Sequence, residues 1–117
     1  EGEPFVLALW SVTCPPCMVE LEMFGELLKE YPDLPLVLVS TDDIAGQEDA
    51  LDFLYDYELD GITSFMFADS FTERLRFSID PNWFGELPRS YYFDSAHQPE
   101  AHSGILKEEQ VRDWLSL

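Results

Sequence analysis

Cys14-Pro15-Pro16-Cys17 holds the only two cysteines of the chain. Two thiols at that spacing can close to a disulfide and reopen, exchanging with a partner's sulfurs. The nucleophile in such exchange is a thiolate, so one cysteine must ionise near neutral pH. The pair follows an apolar run, Phe5-Val6-Leu7-Ala8-Leu9-Trp10, and precedes a run of helical spacing that ends near Tyr31. At a helix N-terminus, unpaired N–H groups and the helix dipole favour an anion. Cys14 is therefore the expected exposed attacker. Cys17, one turn inside, is the expected resolving thiol. A plain structural disulfide is the alternative, but so short a loop restrains the unfolded chain little. Pro15 and Pro16 suit the first helical turn, where a missing N–H costs little. They also remove two donors that would otherwise face the thiolate.

Other residues near this pair, or able to join it, are few. Glu20 lies three positions past Cys17 and shares its helix face. Half-buried beside the thiols it could carry protons during exchange; otherwise it is an ordinary surface glutamate. His97 and His102 bring the potential zinc ligands to four, but not as a compact Cys-x-x-Cys…His unit. Two surface histidines are the simpler reading, and no metal is expected. No Gly-rich phosphate loop or nucleotide fingerprint appears, so no cofactor is expected. Ser, His and Asp residues occur without a recognisable triad setting.

The elements that position the cysteines can be read from periodicity. Phe5 to Trp10 and Leu36-Val37-Leu38-Val39 are continuous apolar runs that suit strands buried on both faces of a parallel sheet. Between them Cys17, Leu21, Phe24, Leu28 and Tyr31 recur at three- and four-residue steps, widened by Met23 and Leu27. With Glu22, Glu26, Lys29 and Glu30 on the wet side, this is an amphipathic helix. Pro32 and Pro35 end it. A second helix is expected over 47–57, with Leu51, Leu54 and Tyr55 facing in. Ser64-Phe65-Met66-Phe67 reads as a short buried strand, and a brief helix is expected over 72–77. Asp80-Pro81-Asn82 opens an irregular stretch to Pro88. Ser90-Tyr91-Tyr92-Phe93 reads as a strand, and a weak strand near 101–103 could pair back as a hairpin. A last helix is expected over 107–115, with Val111, Trp114 and Leu115 inside. This order argues for α/β layering with helices on both faces of a mixed sheet.

Composition narrows the class further. The chain has 117 residues, enough for one domain (1–117) with a core of its own. Hydrophobic residues make up 46% and aromatics 15%, which excludes a disordered composition. No apolar run approaches the roughly 18 residues that span a bilayer. The start, Glu1-Gly2-Glu3-Pro4, is no signal peptide, although a mature or trimmed chain would look the same. Six basic against 24 acidic residues give a net charge of −18. That excess disfavours nucleic acid and anionic membranes and permits basic partners. A solvated acidic surface is the plainer account. A single cysteine pair is compatible with an oxidising compartment or with a cytosolic redox protein.

Together these residues resemble the thioredoxin superfamily, and within it the TlpA/ResA/DsbE-like thiol–disulfide reductases. That branch shows a segment of the form F-W-A-[ST]-W-C-x-P-C-R-x-E-x-P. Trp10, Cys14, Pro16, Cys17 and Glu20 fall on it, while Thr13, Met18 and Glu22 replace an aromatic, a basic residue and a proline. Gly85-Glu86-Leu87-Pro88-Arg89-Ser90-Tyr91-Tyr92-Phe93-Asp94 resembles the family's G-x-P-T-T-F strand, whose proline is cis. The helix and strand over 47–67 match an extra α-β insert of this branch. The family's usual N-terminal strand or hairpin is missing, which implies a minimal or trimmed form.

The resemblance implies a thioredoxin fold: a mixed central sheet flanked by helices, with that insert. It implies an acid at Glu20 that tunes the cysteines. It also implies that Leu87 and Pro88 face the dithiol and offer backbone to an extended substrate. Pro88 as an ordinary trans loop proline is the alternative. Trp10 is expected in the core beneath the site. Trp83 and Phe84 could line a groove or simply pack. The expected function is reduction of disulfides in partner proteins, with recharging by a dithiol donor protein. The expected setting is periplasmic or otherwise extracytoplasmic, with an anchor outside this chain conceivable. Apocytochromes c and copper-site assembly proteins are partners in such families. A non-catalytic binding module using the 83–88 surface is one alternative. A peroxidase is another, disfavoured by the absence of a P-x-x-x-T-x-x-C pattern.

Overall fold

A computed structural model describes residues 3–66, 80–83, 85–96 and 98–117. In chain order its elements are β1 (Phe5–Trp10), α1 (Pro15–Glu30), β2 (Leu36–Ser40), a 3-10 turn (Ile44–Gly46), α2 (Gln47–Asp56), β3 (Thr63–Met66), β4 (Arg89–Phe93), β5 (Pro99–Ser103) and α3 (Glu108–Leu115). The strands form one mixed sheet in the order β3-β2-β1-β4-β5. β1 runs parallel to β2 and antiparallel to β4, β2 runs parallel to β3, and β4 and β5 form the expected hairpin.

The apolar run at the head of the chain becomes the central strand because it can bury both faces. Val6, Ala8 and Trp10 point to one face, in a cluster with Leu36 and Leu38 of β2. Cys17, Leu21, Phe24 and Leu27 of α1, Ala50 and Leu54 of α2, and Val111 and Trp114 of α3 complete that cluster. Leu9 points the other way, against Trp83 and Tyr91. The described helices thus cover one face; the helix expected over 72–77 lies outside the described residues. α3 is keyed to the sheet by Trp114, whose ring stacks on Tyr92 at 5.6 Å between centroids. Leu115, expected inside, is only partly buried.

Two expectations about facing require correction. In α2 the buried residues are Ala50 and Leu54, while Leu51 and Tyr55 stand exposed. The small Ala50 adds little to an apolar pattern, yet its size lets the helix close on the sheet, with Phe53 edge-on to the Trp10 ring. β3 is an edge strand, and Phe65 is 61% exposed rather than buried. An apolar run cannot reveal its rank in a sheet. Phe67 lies outside the described residues.

α1 carries a glycine in mid-helix for a packing reason. A Cβ on Gly25 would collide with the Tyr57 carbonyl at the end of α2. Gly25→Ala should therefore destabilise the fold by about 1–3 kcal/mol, although alanine is the better helix former. Gly61→Ala, whose added Cβ meets nothing within 4 Å, should change stability by less than about 0.5 kcal/mol. Urea unfolding of both variants measures the difference; equal effects would show that the Tyr57 contact sets no limit.

Candidate functional site

β1 delivers the chain to the site, and a tight turn after Trp10 leads into α1. The Cys14 N–H donates to the Ser11 carbonyl at 3.2 Å, closing that turn. Cys14 has extended backbone and is the N-cap of α1, with Pro15 and Pro16 in the first two helical positions. The prolines carry no N–H, so the Cys17 N–H is the first backbone donor of the helix. It donates to the Cys14 carbonyl at 2.9 Å and to Cys14 Sγ at 3.2 Å. The two sulfurs are bonded, 2.12 Å apart. Cys17 has no exposed surface and Cys14 keeps 8%. Cys14 is therefore buried rather than exposed as expected, and of the pair it alone keeps any exposed surface.

Glu20 is neither a surface residue nor half-buried, as the sequence left open. It is 1% exposed, on the inner face of α1 one turn from Cys17. Its Oε2 accepts a hydrogen bond of 2.8 Å from the Leu106 N–H. Burial pushes the carboxyl from its ordinary 4.5 up to about 7, against the opposing pull of that bond. An acid with that affinity, about 5–6 Å between Cβ atoms from a thiol one turn away, is suited to exchanging protons with it at neutral pH.

The Leu87–Pro88 bond is cis. β4 pairs Arg89 with Leu9. One step further along that antiparallel register, Pro88 stands level with Trp10, at the end of β1 from which the chain runs to Cys14. Pro88 is buried and Leu87 partly so. The Pro88 carbonyl accepts from the Gly104 N–H at 2.9 Å. The Leu87 N–H and C=O find no partner among the described residues. The segment 104–106 thus touches both halves of the site, Pro88 through Gly104 and Glu20 through Leu106. Gly104 adopts a φ of 90°, which favours glycine there. Trp10 is wholly buried, as expected. Trp83 lines no groove: it is 3% exposed in the core, with its indole N–H on the Glu86 carbonyl at 2.8 Å. Phe84 and His97 lie outside the described residues, and His102 packs edge-on to Trp114.

Two side-chain networks were not anticipated. Asp42, just after β2, accepts from Ser11, Ser40 and the Val12 N–H, pinning the turn before Cys14. Arg89, just after Pro88, donates to Asp80 at 3.0 Å, to the Tyr91 hydroxyl at 3.1 Å and to Ser103 at 2.7 Å. That ties Asp80 to the hairpin. Asp42 is a short polar residue after a strand and Arg89 a lone cation at a strand start, and neither position gives a periodic signal.

No family model matches the chain, and no curated protein matches it. Solved structures do. A secreted Mycobacterium tuberculosis disulfide oxidoreductase homologous to E. coli DsbE is similar with a TM-score of 0.74 and 18% identity, over 99% of this chain and 82% of that one. The fold is the thioredoxin fold. A thioredoxin-related protein from Neisseria meningitidis serogroup B gives 0.76 and 16%, over 99% and 84% of the two chains. StoA from Bacillus subtilis gives 0.69 and 22%, over 97% and 83%. On this thioredoxin fold, α2 and β3 form the expected α-β insert, and β1, α1 and β4 bring Cys14, Cys17, Glu20 and Pro88 to one end of the sheet.

The buried acid has a measurable signature. Folded Glu20 holds its proton up to about pH 7, whereas the unfolded chain releases it near 4.5. The folded state therefore binds more protons between those values, and stability falls as pH rises through them. A gap of that size corresponds to about 3 kcal/mol. Glu20→Gln keeps an acceptor for the Leu106 N–H and cannot ionise. Between pH 4.5 and 7.5 the native chain should lose about 3 kcal/mol more than this variant in urea unfolding. Parallel stability curves would mean that Glu20 titrates as an ordinary carboxyl.

Proposed function

We propose that the protein is a thiol–disulfide oxidoreductase that reduces disulfides in partner proteins. The observation that carries this reading is the Cys14–Cys17 pair at the N-terminus of α1. Cys14, the less buried of the two, caps the helix, and its sulfur accepts a backbone N–H. The similar solved structures include one described as a disulfide oxidoreductase, which supports the same chemistry here.

In the reduced protein the Cys14 thiolate attacks one sulfur of a partner disulfide. A Cys14–partner bond forms, the partner's S–S bond breaks, and the released thiolate takes a proton from water. Cys17 then gives its proton to the Glu20 carboxylate and attacks Cys14 Sγ. The Cys14–Cys17 bond forms and the second partner thiolate leaves. Two electrons have passed to the partner, and a dithiol donor protein restores the pair by the reverse steps. Leu87, whose backbone groups have no partner among the described residues, would pair with an extended partner segment in the manner of an added strand.

Direction follows from donors. Pro15 and Pro16 leave the Cys14 thiolate with fewer N–H groups than an ordinary helix start provides. A less stabilised thiolate makes the dithiol a better reductant. The net charge of −18 suits a basic partner, and an apocytochrome c is one such class. An extracytoplasmic setting fits the neighbour described as secreted. No described helix is long and apolar enough to cross a membrane.

An insulin-reduction assay tests the reading. Cys14→Ser should abolish turnover, and Cys17→Ser should accumulate mixed disulfides through Cys14. Turnover that survives Cys14→Ser would overturn it.

A further inference from the structure

We propose that Asp42 and Ser11 are positioning residues for the Cys14 thiol. They would hold the turn that sets its sulfur against its backbone donor. The inference rests on the reading of Cys14 as the attacking thiol.

Asp42 lies 28 positions beyond Cys14 in sequence, at the end of β2, where the Thr41 N–H still pairs with the Trp10 carbonyl at 2.9 Å. Both of its carboxylate oxygens are engaged toward the dithiol turn. Oδ1 accepts from Ser11 Oγ at 2.8 Å. Oδ2 accepts from Ser40 Oγ at 2.6 Å and from the Val12 N–H at 3.1 Å. Ser11 Oγ in turn accepts from the Thr13 N–H at 3.2 Å. The two hydroxyls sit on buried residues, Ser11 at 6% and Ser40 at 2% exposure. Bonds to an ionised acceptor in such a place are short and strong. One carboxylate therefore fixes residues 11, 12 and, through Ser11, 13, while Ser40 anchors it to the sheet.

The two prolines are what make this position matter. In a helix start with free N–H groups, a displaced cap can exchange one donor for another. Here positions 15 and 16 offer none. Among the described residues, the Cys17 N–H is the backbone group that reaches Cys14 Sγ, at 3.2 Å. A turn free to swing would carry the sulfur off that donor with no substitute nearby. Loss of the clamp should therefore raise the thiol's proton affinity and lower its reactivity at neutral pH. The thiolate itself, once formed, should be no less reactive, since a more basic thiolate is the stronger nucleophile.

The test is the pH dependence of iodoacetamide alkylation of the reduced protein, with the modified cysteine located by peptide mass mapping. Ser11→Ala removes one bond to Asp42 and Ser40→Ala removes two, since the Asp42 N–H also donates to Ser40 Oγ at 3.1 Å; both leave every charge in place. Both should slow Cys14 alkylation at pH 7 by about three- to tenfold, a move of half to one pH unit in its midpoint. The plateau rate at high pH should not fall, since a more basic thiolate is no weaker a nucleophile, and Ser11→Thr, which keeps the hydroxyl, should restore the native profile. Native profiles in both alanine variants would overturn the proposal. So would a shift in only one of them, since the effect would then not run through Asp42, and so would a Ser11→Thr variant that fails to rescue. If Ser11→Ala does not fold, Ser40→Ala decides alone. If the unmodified sequence is alkylated first at Cys17, the assignment of the attacker fails, and this proposal with it. Alkylation at Cys14 with unshifted variants defeats the clamp alone.

Discussion

The Cys14 sulfur caps α1 by accepting the Cys17 N–H, and the rest of the site is arranged around that contact. It exists because β1 ends with its carbonyl end facing the start of a helix. Pro15 and Pro16 make the helix begin there and nowhere else. The buried stripe of α1, from Cys17 to Leu27, then presses the helix onto Val6, Ala8 and Trp10. Phe24 alone, fully buried, would cost about 3–5 kcal/mol to replace with alanine. That core rigidity fixes Cys17, and Cys17 fixes the donor that Cys14 uses.

The same helix face carries an opposing demand. Glu20 occupies a position that packing would give to a leucine, and its charge is disfavoured there by burial. The Leu106 N–H offsets part of that cost without removing it. A site built only for stability would not hold a carboxyl in that place. The proposed role of moving a proton beside a thiol at neutral pH would account for it. The segment 104–106 completes the arrangement by joining the acid and Pro88 through two backbone N–H groups.

What could be read in the sequence was what depends on local pattern. The boundaries of β1 and α1, the hairpin after Pro88 and the Cys-Pro-Pro-Cys placement follow from apolar runs, helical spacing and proline geometry. The order of elements and the motif segments then implied the fold. What was missed depends on three-dimensional neighbours. The facing of α2 turned on Ala50, which weighs little in any apolar count. The exposure of Phe65 turned on the rank of β3 in the sheet. Trp83 became core because Leu9 and Tyr91 offer it a face. Asp42 meets Ser11 and Val12, 31 and 30 positions earlier, because two strands adjacent in the sheet bring them together. Glu20 could be placed on the right face from its spacing, but its depth of burial depended on the loop that closes over it.

The proposed reductase needs a dithiol poised to give electrons rather than take them, which the scarcity of donors to Cys14 Sγ favours. Equilibrating the Cys14–Cys17 pair against a buffer of known potential measures that poise directly. A reduction potential close to thioredoxin's, about −270 mV, is expected. A value near the strong oxidant DsbA, about −120 mV, would contradict it.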